Sequence, residues 1–189
     1  LVAPSAHSSI VGQELNRILD TAQRLGVGTV IEPAVHADRW SDRAEVLRIA
    51  DELNAAASTA SASGISIGYH NHWWEFESSF DGVLAYDLFT GHLDPAVVLE
   101  IDTYWATVAG VNASDLLKRL GTRVGLIHVK DGDISRDNKR QVAVGSVSRI
   151  RRAHDLVTPR LPIHQRQGSM PLSAPSGTRT PTVSRQPNQ

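Results

Sequence analysis

Val97-Val-Leu-Glu-Ile-Asp102 is a short, nearly continuous apolar run that closes on a carboxylate. Three other segments share its form. Val124–Ile127 closes on His128, Ile65–Tyr69 on His70, and Thr29–Ile31 on Glu32 followed by Pro33. Runs this short and this apolar predict strands of a parallel sheet buried on both faces. Helical periodicity fills the intervals. Leu15, Ile18, Leu19, Ala22 and Leu25 predict a helix over Gly12–Leu25, with Ser8 or Ser9 as its cap and Gly26 as its stop. Val46, Leu47, Ile49, Ala50 and Leu53 predict a second over Asp42–Ala62, capped by Ser41 and closed at Gly64. Shorter helices are expected at Val83–Thr90 and Ser114–Leu120. The class is α/β.

The four polar residues closing these strands, Glu32, His70, Asp102 and His128, are 38, 32 and 26 residues apart, about one βα unit each. In a parallel sheet the C-terminal strand ends share one side, and in an eight-stranded barrel they converge on one mouth. Residues 1–145 hold about four such units where a closed barrel needs eight, and their polar strand ends form a candidate site on one side of the sheet.

Composition narrows the class further. The chain has 189 residues, 41% hydrophobic and 21% charged, a globular balance. It contains no cysteine, which excludes a disulfide framework, a thiolate zinc site and a cysteine nucleophile. The longest uncharged stretch, Leu53–Trp74, is broken by Ser, Thr, Gly, Asn and His, so no membrane span is expected. The N-terminus lacks a signal-peptide pattern, and a cytoplasmic location is the expectation. From Ser146 onward come seven arginines, one acid (Asp155), six of the nine prolines and no aromatic residue. The 145 residues before it carry a net charge of −7. Residues 146–189 are expected to be disordered, as a basic tail or as an out-of-frame translation. The chain begins at Leu1 and its only methionine is Met170, so it reads as a piece of a longer frame.

Three segments carry candidate chemistry. Tyr69-His-Asn-His-Trp-Trp-Glu-Phe-Glu77 places two histidines and two carboxylates directly after a strand. Leu99-Glu-Ile-Asp-Thr-Tyr-Trp105 offers Asp102 as a metal ligand or as a cap for the following turn. Glu100 lies two residues earlier on the same side. Tyr104 and Trp105 either pack in the core or wall a pocket and stack on a sugar face. Val124-Gly-Leu-Ile-His-Val-Lys-Asp-Gly132 brings His128, Lys130 and Asp131 to the end of a buried strand, where charge is costly unless used or paired. An ion pair of Lys130 with Asp131 or Glu100 is the plainer alternative. Oxygen ligands plus an imidazole suit a divalent cation: Mn2+, Mg2+, Zn2+ or Co2+. The sequence lacks a phosphate-binding P-loop, a dinucleotide fingerprint and a G-x-S-x-G elbow.

In these three segments the chain resembles the sugar phosphate isomerase/epimerase family of xylose isomerase-like TIM barrels. The features are the HNHxxEF loop (His70–Phe76), the E-x-D-x-x-W strand end (Glu100–Trp105) and the H-V-K-D strand end (His128–Asp131). The resemblance covers roughly residues 8–145 and implies that residues 1–145 are a partial (β/α)8 TIM barrel of about four βα units. It implies a metal-dependent isomerase or epimerase that transfers a proton beside a carbonyl through an enediolate, acting on a small sugar or cyclitol. It also implies one divalent cation held by Glu, Asp, His and Glu of the last four strands. Asp102 matches the Asp and His128 the His. His70 stands at the position of the first Glu, with Glu75 as a substitute candidate, and no glutamate follows Glu100 to supply the last. In that scheme His72 and Glu75 are acid/base candidates and Lys130 is a clamp on a substrate oxygen. His70, Trp105 and Lys130 bind substrate. With one ligand and half a barrel absent, the chain as it stands is expected to be inactive. The alternatives are an inosose-dehydratase-like lyase and a non-catalytic fragment. The apurinic endonucleases of the same superfamily are disfavoured, because a net −7 opposes a polyphosphate partner.

Overall fold

The computed structural model describes residues 3–146. The Arg- and Pro-rich tail, expected to be disordered, lies outside the described residues apart from Ser146. In chain order the elements are β1 (Ser5–His7), α1 (Leu15–Leu25), β2 (Thr29–Glu32), α2 (Arg43–Ser61) and β3 (Ser66–His70). A small hairpin of β4 (Ser79–Phe80) and β5 (Val83–Leu84) leads into α3 (Ala85–His92). Then come β6 (Val98–Asp102), α4 (Thr103–Val108), α5 (Ala113–Leu120) and β7 (Val124–His128). A ribbon of β8 (Asp131–Gly132) and β9 (Gln141–Val142) follows. The main sheet runs β1-β2-β3-β6-β7 with every neighbouring pair parallel. It is a half-barrel, as the family resemblance implies.

The sequence predicts four sheet strands and the structure has five. The additional one, β1, is only Ser-Ala-His and has no β-branched side chain. It is a strand because its backbone pairs with β2, in the register Ser5↔Thr29, Ala6↔Val30, His7↔Ile31. Helix α4 is also additional, and it starts where the Asp102 carboxylate accepts from Trp105 N at 2.9 Å. Two expected caps are corrected. Helix α1 begins at Leu15 with no side-chain cap, so Ser8 and Ser9 do not serve it. Asp42, not Ser41, caps α2, accepting from Ala44 N (2.7 Å) and Glu45 N (3.0 Å). The Ser41 hydroxyl instead donates back to Asp38 O. Gly26 does end α1, in the left-handed region at φ +69° that glycine enters without strain.

The core lies between the sheet and its helices. Alpha-helix α2 buries Val46, Ile49, Ala50, Leu53, Ala56, Ala57 and Ala60, a stripe at helical spacing whose alanines allow close approach to the sheet. Against it Tyr69 packs its ring edge-to-face on Phe89 at 4.8 Å, and Trp40 lies 5.1 Å from Phe89. Two glycines shape the strands. A Cβ on Gly68 would lie 2.4 Å from Ile31 Cδ1 and 2.8 Å from the Val98 carbonyl oxygen. Gly68→Ala is therefore expected to lower stability by about 1–3 kcal/mol, read by urea denaturation, because a backbone atom cannot yield to the new methyl. Gly125 is the extra residue of a β-bulge, since Leu99 pairs Val124 while Glu100 pairs Leu126. The bulge brings His128 opposite Asp102, where uninterrupted pairing would bring Ile127.

Candidate functional site

The C-terminal ends of five strands deliver His7, Glu32, His70, Asp102 and His128 to one side of the sheet. Glu32 serves the loop beside it. Its carboxylate is 1% exposed and accepts from Ile10 N (2.6 Å) and Val11 N (2.8 Å), fixing the chain just after His7. Burial raises its pKa, and those same bonds partly offset the shift.

The centre of the group is Glu100. Its Oε1 lies 2.7 Å from His7 Nε2, 2.8 Å from His70 Nδ1 and 3.6 Å from His128 Nδ1. Burial pushes the Glu100 carboxyl up, but the three imidazoles gathered around it, His128, His70 and His7, prevail and hold it below the usual carboxylate range. Burial lowers the pKa of His70. Ligand atoms of His7, His70, Glu100 and His128 all lie within 4.8 Å of one another, a spacing and donor set that fit a divalent cation.

Asp102 stands beside this group. Its Oδ2 is 2.8 Å from Lys130 Nζ, 3.5 Å from His70 Nε2 and 4.0 Å from His128 Nδ1. The lysine also lies 4.9 Å above the Trp105 ring. The structure thus brings together His70, Asp102, His128 and Lys130 of the residues expected from sequence. It sets Glu75 apart, fully buried, accepting from Tyr69 OH at 2.8 Å and from the His72 backbone N–H at 2.9 Å. It adds His7, and it moves Glu100 from a neighbour of Asp102 to the middle of the cluster. The only sequence signal for His7 is a histidine preceding a serine pair, which is too little to mark a strand end.

Aromatic rings flank the polar group. His72 stacks on Trp74 at 4.2 Å, 5° from parallel, and Trp73 lies 4.8 Å from Trp105. Burial drives the His72 pKa down to about 3, so the ring is neutral at pH 7, and its Nδ1 is buried without a hydrogen-bond partner among the described residues. Burial lifts the Glu75 carboxyl to about 8, so it holds its proton at pH 7. Between the unfolded carboxyl's pKa of about 4.3 and 8, the folded state keeps a proton that the unfolded chain has lost. Stability from this group is complete at low pH and falls as pH rises, by up to about 1.4 kcal/mol per pH unit. In the metal-free protein Glu75→Gln is expected to flatten the pH 5–8 stability profile; melting temperatures across that range test this.

No helix among the described residues is long and apolar enough to cross a membrane. A family model described as xylose isomerase-like TIM barrel matches residues 7–159. Curated protein sequences give no match. Among solved structures, a sugar phosphate isomerase/epimerase from Parabacteroides distasonis superposes with a TM-score of 0.62 at 25% identity. The match covers 69% of this chain and 52% of that one. The zinc-bound IOLI protein gives 0.54 at 18% identity, covering 74% of this chain and 52% of that one. A probable 3-DHS dehydratase, AsbF, from Bacillus anthracis gives 0.53 at 10% identity, covering 71% and 52%. The last two likenesses show the fold alone. The chain spans about half the length of these structures. The match over most of the described residues and the half-barrel itself lead to one conclusion: the chain belongs to the xylose isomerase-like TIM barrel family.

Proposed function

We propose that the protein containing this segment is a metal-dependent isomerase or epimerase of a small sugar or cyclitol, moving a proton at the carbon beside a carbonyl. One observation carries this reading: three histidines and two carboxylates from four strands, with a lysine just past β7, meet at one rim beside stacked aromatic rings. A divalent cation held among the His and Glu side chains would supply Lewis acidity toward carbonyl and hydroxyl oxygens.

The chain's own residues do the rest. Lys130 Nζ, held between the Asp102 carboxylate and the Trp105 face, binds and orients a substrate oxygen. His72, kept uncharged by burial, serves as a neutral hydrogen-bonding group beside the substrate rather than as its proton acceptor. Glu75 fixes the His72 backbone through its two oxygens and so positions that ring. Trp73 and Trp74 exclude water and flank the substrate side, whereas Trp105, expected to bind substrate, is 2% exposed and packs behind Trp73 and Lys130 instead.

The test is proton exchange. An intact polypeptide carrying this segment, loaded with Mn2+, Co2+ or Zn2+ and incubated in D2O with ketoses, aldoses and inososes, is expected to introduce deuterium beside the carbonyl of at least one. Chelation should abolish the exchange. Absence of exchange across the panel, with metal bound, overturns the reading; exchange accompanied by loss of water marks a dehydratase instead.

A further inference from the structure

We propose that this chain alone forms a complete site for a cation of the zinc and cobalt class, with His7, His70, Glu100 and His128 as ligands and Asp102 outside the ligand set. The inference rests on the functional reading only for the presence of a cation. It departs from the Glu, Asp, His, Glu set that the family resemblance implies.

The first argument is hydrogen-bond capacity. A carboxylate oxygen offers two lone-pair directions. Three imidazole nitrogens converge on Glu100 Oε1, two at 2.7 and 2.8 Å and the third at 3.6 Å. The two short bonds use that capacity, which leaves His128 Nδ1 pointing at an oxygen that cannot also serve it. A cation among the four donors resolves the conflict, because each nitrogen then gives its lone pair to the metal. Tetrahedral ligands at about 2.0–2.1 Å from a zinc stand roughly 3.3 Å apart, so the short contacts must open by about 0.5 Å and the widest, up to 4.8 Å, must close by about 1.5 Å, movements that the part-exposed His7 and His128 side chains have room to make.

Second, Asp102 already faces a cation, although no hydrogen bond from the described residues reaches its Oδ2. Its Oδ1 accepts from Trp105 N at 2.9 Å, and the Lys130 ammonium sits 2.8 Å from its Oδ2. A divalent cation on Oδ2 would lie against that ammonium, a repulsion the other four donors avoid. Asp102 does, however, face His70 Nε2 at 3.5 Å, while His70 Nδ1 faces the cluster. One ring nitrogen turned to the metal and the other to a carboxylate is how outer carboxylates orient histidine ligands.

Donor chemistry then selects the ion. Three imidazoles and one carboxylate suit Zn2+ or Co2+, whereas Mg2+ takes nearly all-oxygen octahedral surroundings. All four ligands come from β1, β3, β6 and β7, within the described residues, so binding needs no further strand.

The full 189-residue chain, stripped by chelation, is titrated with Co2+ while its visible absorption is followed. The expected result is one site per chain with the intense bands of a four- or five-coordinate Co2+, displaced by stoichiometric Zn2+ and unaffected by millimolar Mg2+. His7→Gln and His128→Gln are each expected to weaken Co2+ binding more than a hundredfold. Asp102→Asn should weaken it about tenfold and leave the band positions in place. His7 lies on an edge strand with its side chain 38% exposed, and circular dichroism confirms that its variant is folded. Absence of a one-to-one Co2+ site in the wild-type chain overturns the proposal. So does wild-type affinity in His7→Gln, complete loss in Asp102→Asn, or displacement by Mg2+. Failure here with proton exchange intact in the longer protein refutes only this ligand set; a bound ion without exchange refutes only the functional reading.

Discussion

Lys130→Met is expected to lower the stability of the metal-free chain by about 3–5 kcal/mol, the cost of leaving a buried carboxylate without its cation. The Asp102 side chain is fully buried, and Lys130 Nζ at 2.8 Å is the positive group closest to it. His70, with Nε2 3.5 Å away, recovers part of the loss where it takes up a proton. The reverse change is milder. Asp102→Asn frees a lysine whose side chain is already 19% exposed and can turn to water. The double variant Asp102→Asn with Lys130→Met should then return to within about 1–2 kcal/mol of the wild type, a coupling that a double-mutant cycle isolates. Urea denaturation of the four proteins measures it. A loss below about 1 kcal/mol in Lys130→Met would show that the pair contributes nothing at this position.

Glu100→Gln is expected to remove cation binding altogether and, in the intact protein, proton exchange with it. The amide keeps the shape of the side chain but lacks the charge on which His7, His70 and His128 converge. A neutral amide oxygen is a poor ligand for Zn2+ or Co2+ beside three imidazoles. Calorimetric titration with Zn2+ reads the first effect and deuterium incorporation the second. The fold should survive, since Glu100 already pairs through its backbone with His70 on one side and Leu126 on the other. Retention of wild-type zinc affinity would remove Glu100 from the ligands.

The parts of this site that sequence makes legible are those where a buried strand must stop. Val98–Asp102 and Ser66–His70 spend their apolar residues inside the sheet and then deliver a polar side chain to its rim, whereas Val124–His128, expected to be buried, is the last strand of the described sheet and leaves Ile127 43% exposed. Periodicity of 2 and 3.6 is local information, and it places these ends to within a residue. What it cannot supply is pairing. Ser5–His7 is a strand only through β2, so His7 is invisible until the sheet is assembled. The bulge at Gly125 is likewise a relation between two strands, yet it sets His128 opposite Asp102. Glu75 is the opposite case. Its place three residues after His72 suggests a ligand, but the three-residue turn Trp74–Phe76 carries it inward to Tyr69, where burial outweighs proximity in sequence.

An anomalous-difference map, recorded at the zinc absorption edge from crystals of the chain grown with Zn2+, would show where the strand ends gather their ion. The account predicts a single peak within ligand distance of His7, His70, Glu100 and His128, with Asp102 behind His70 and still paired to Lys130. A peak liganded by Asp102 with His7 turned away, or no peak at this rim, would contradict it.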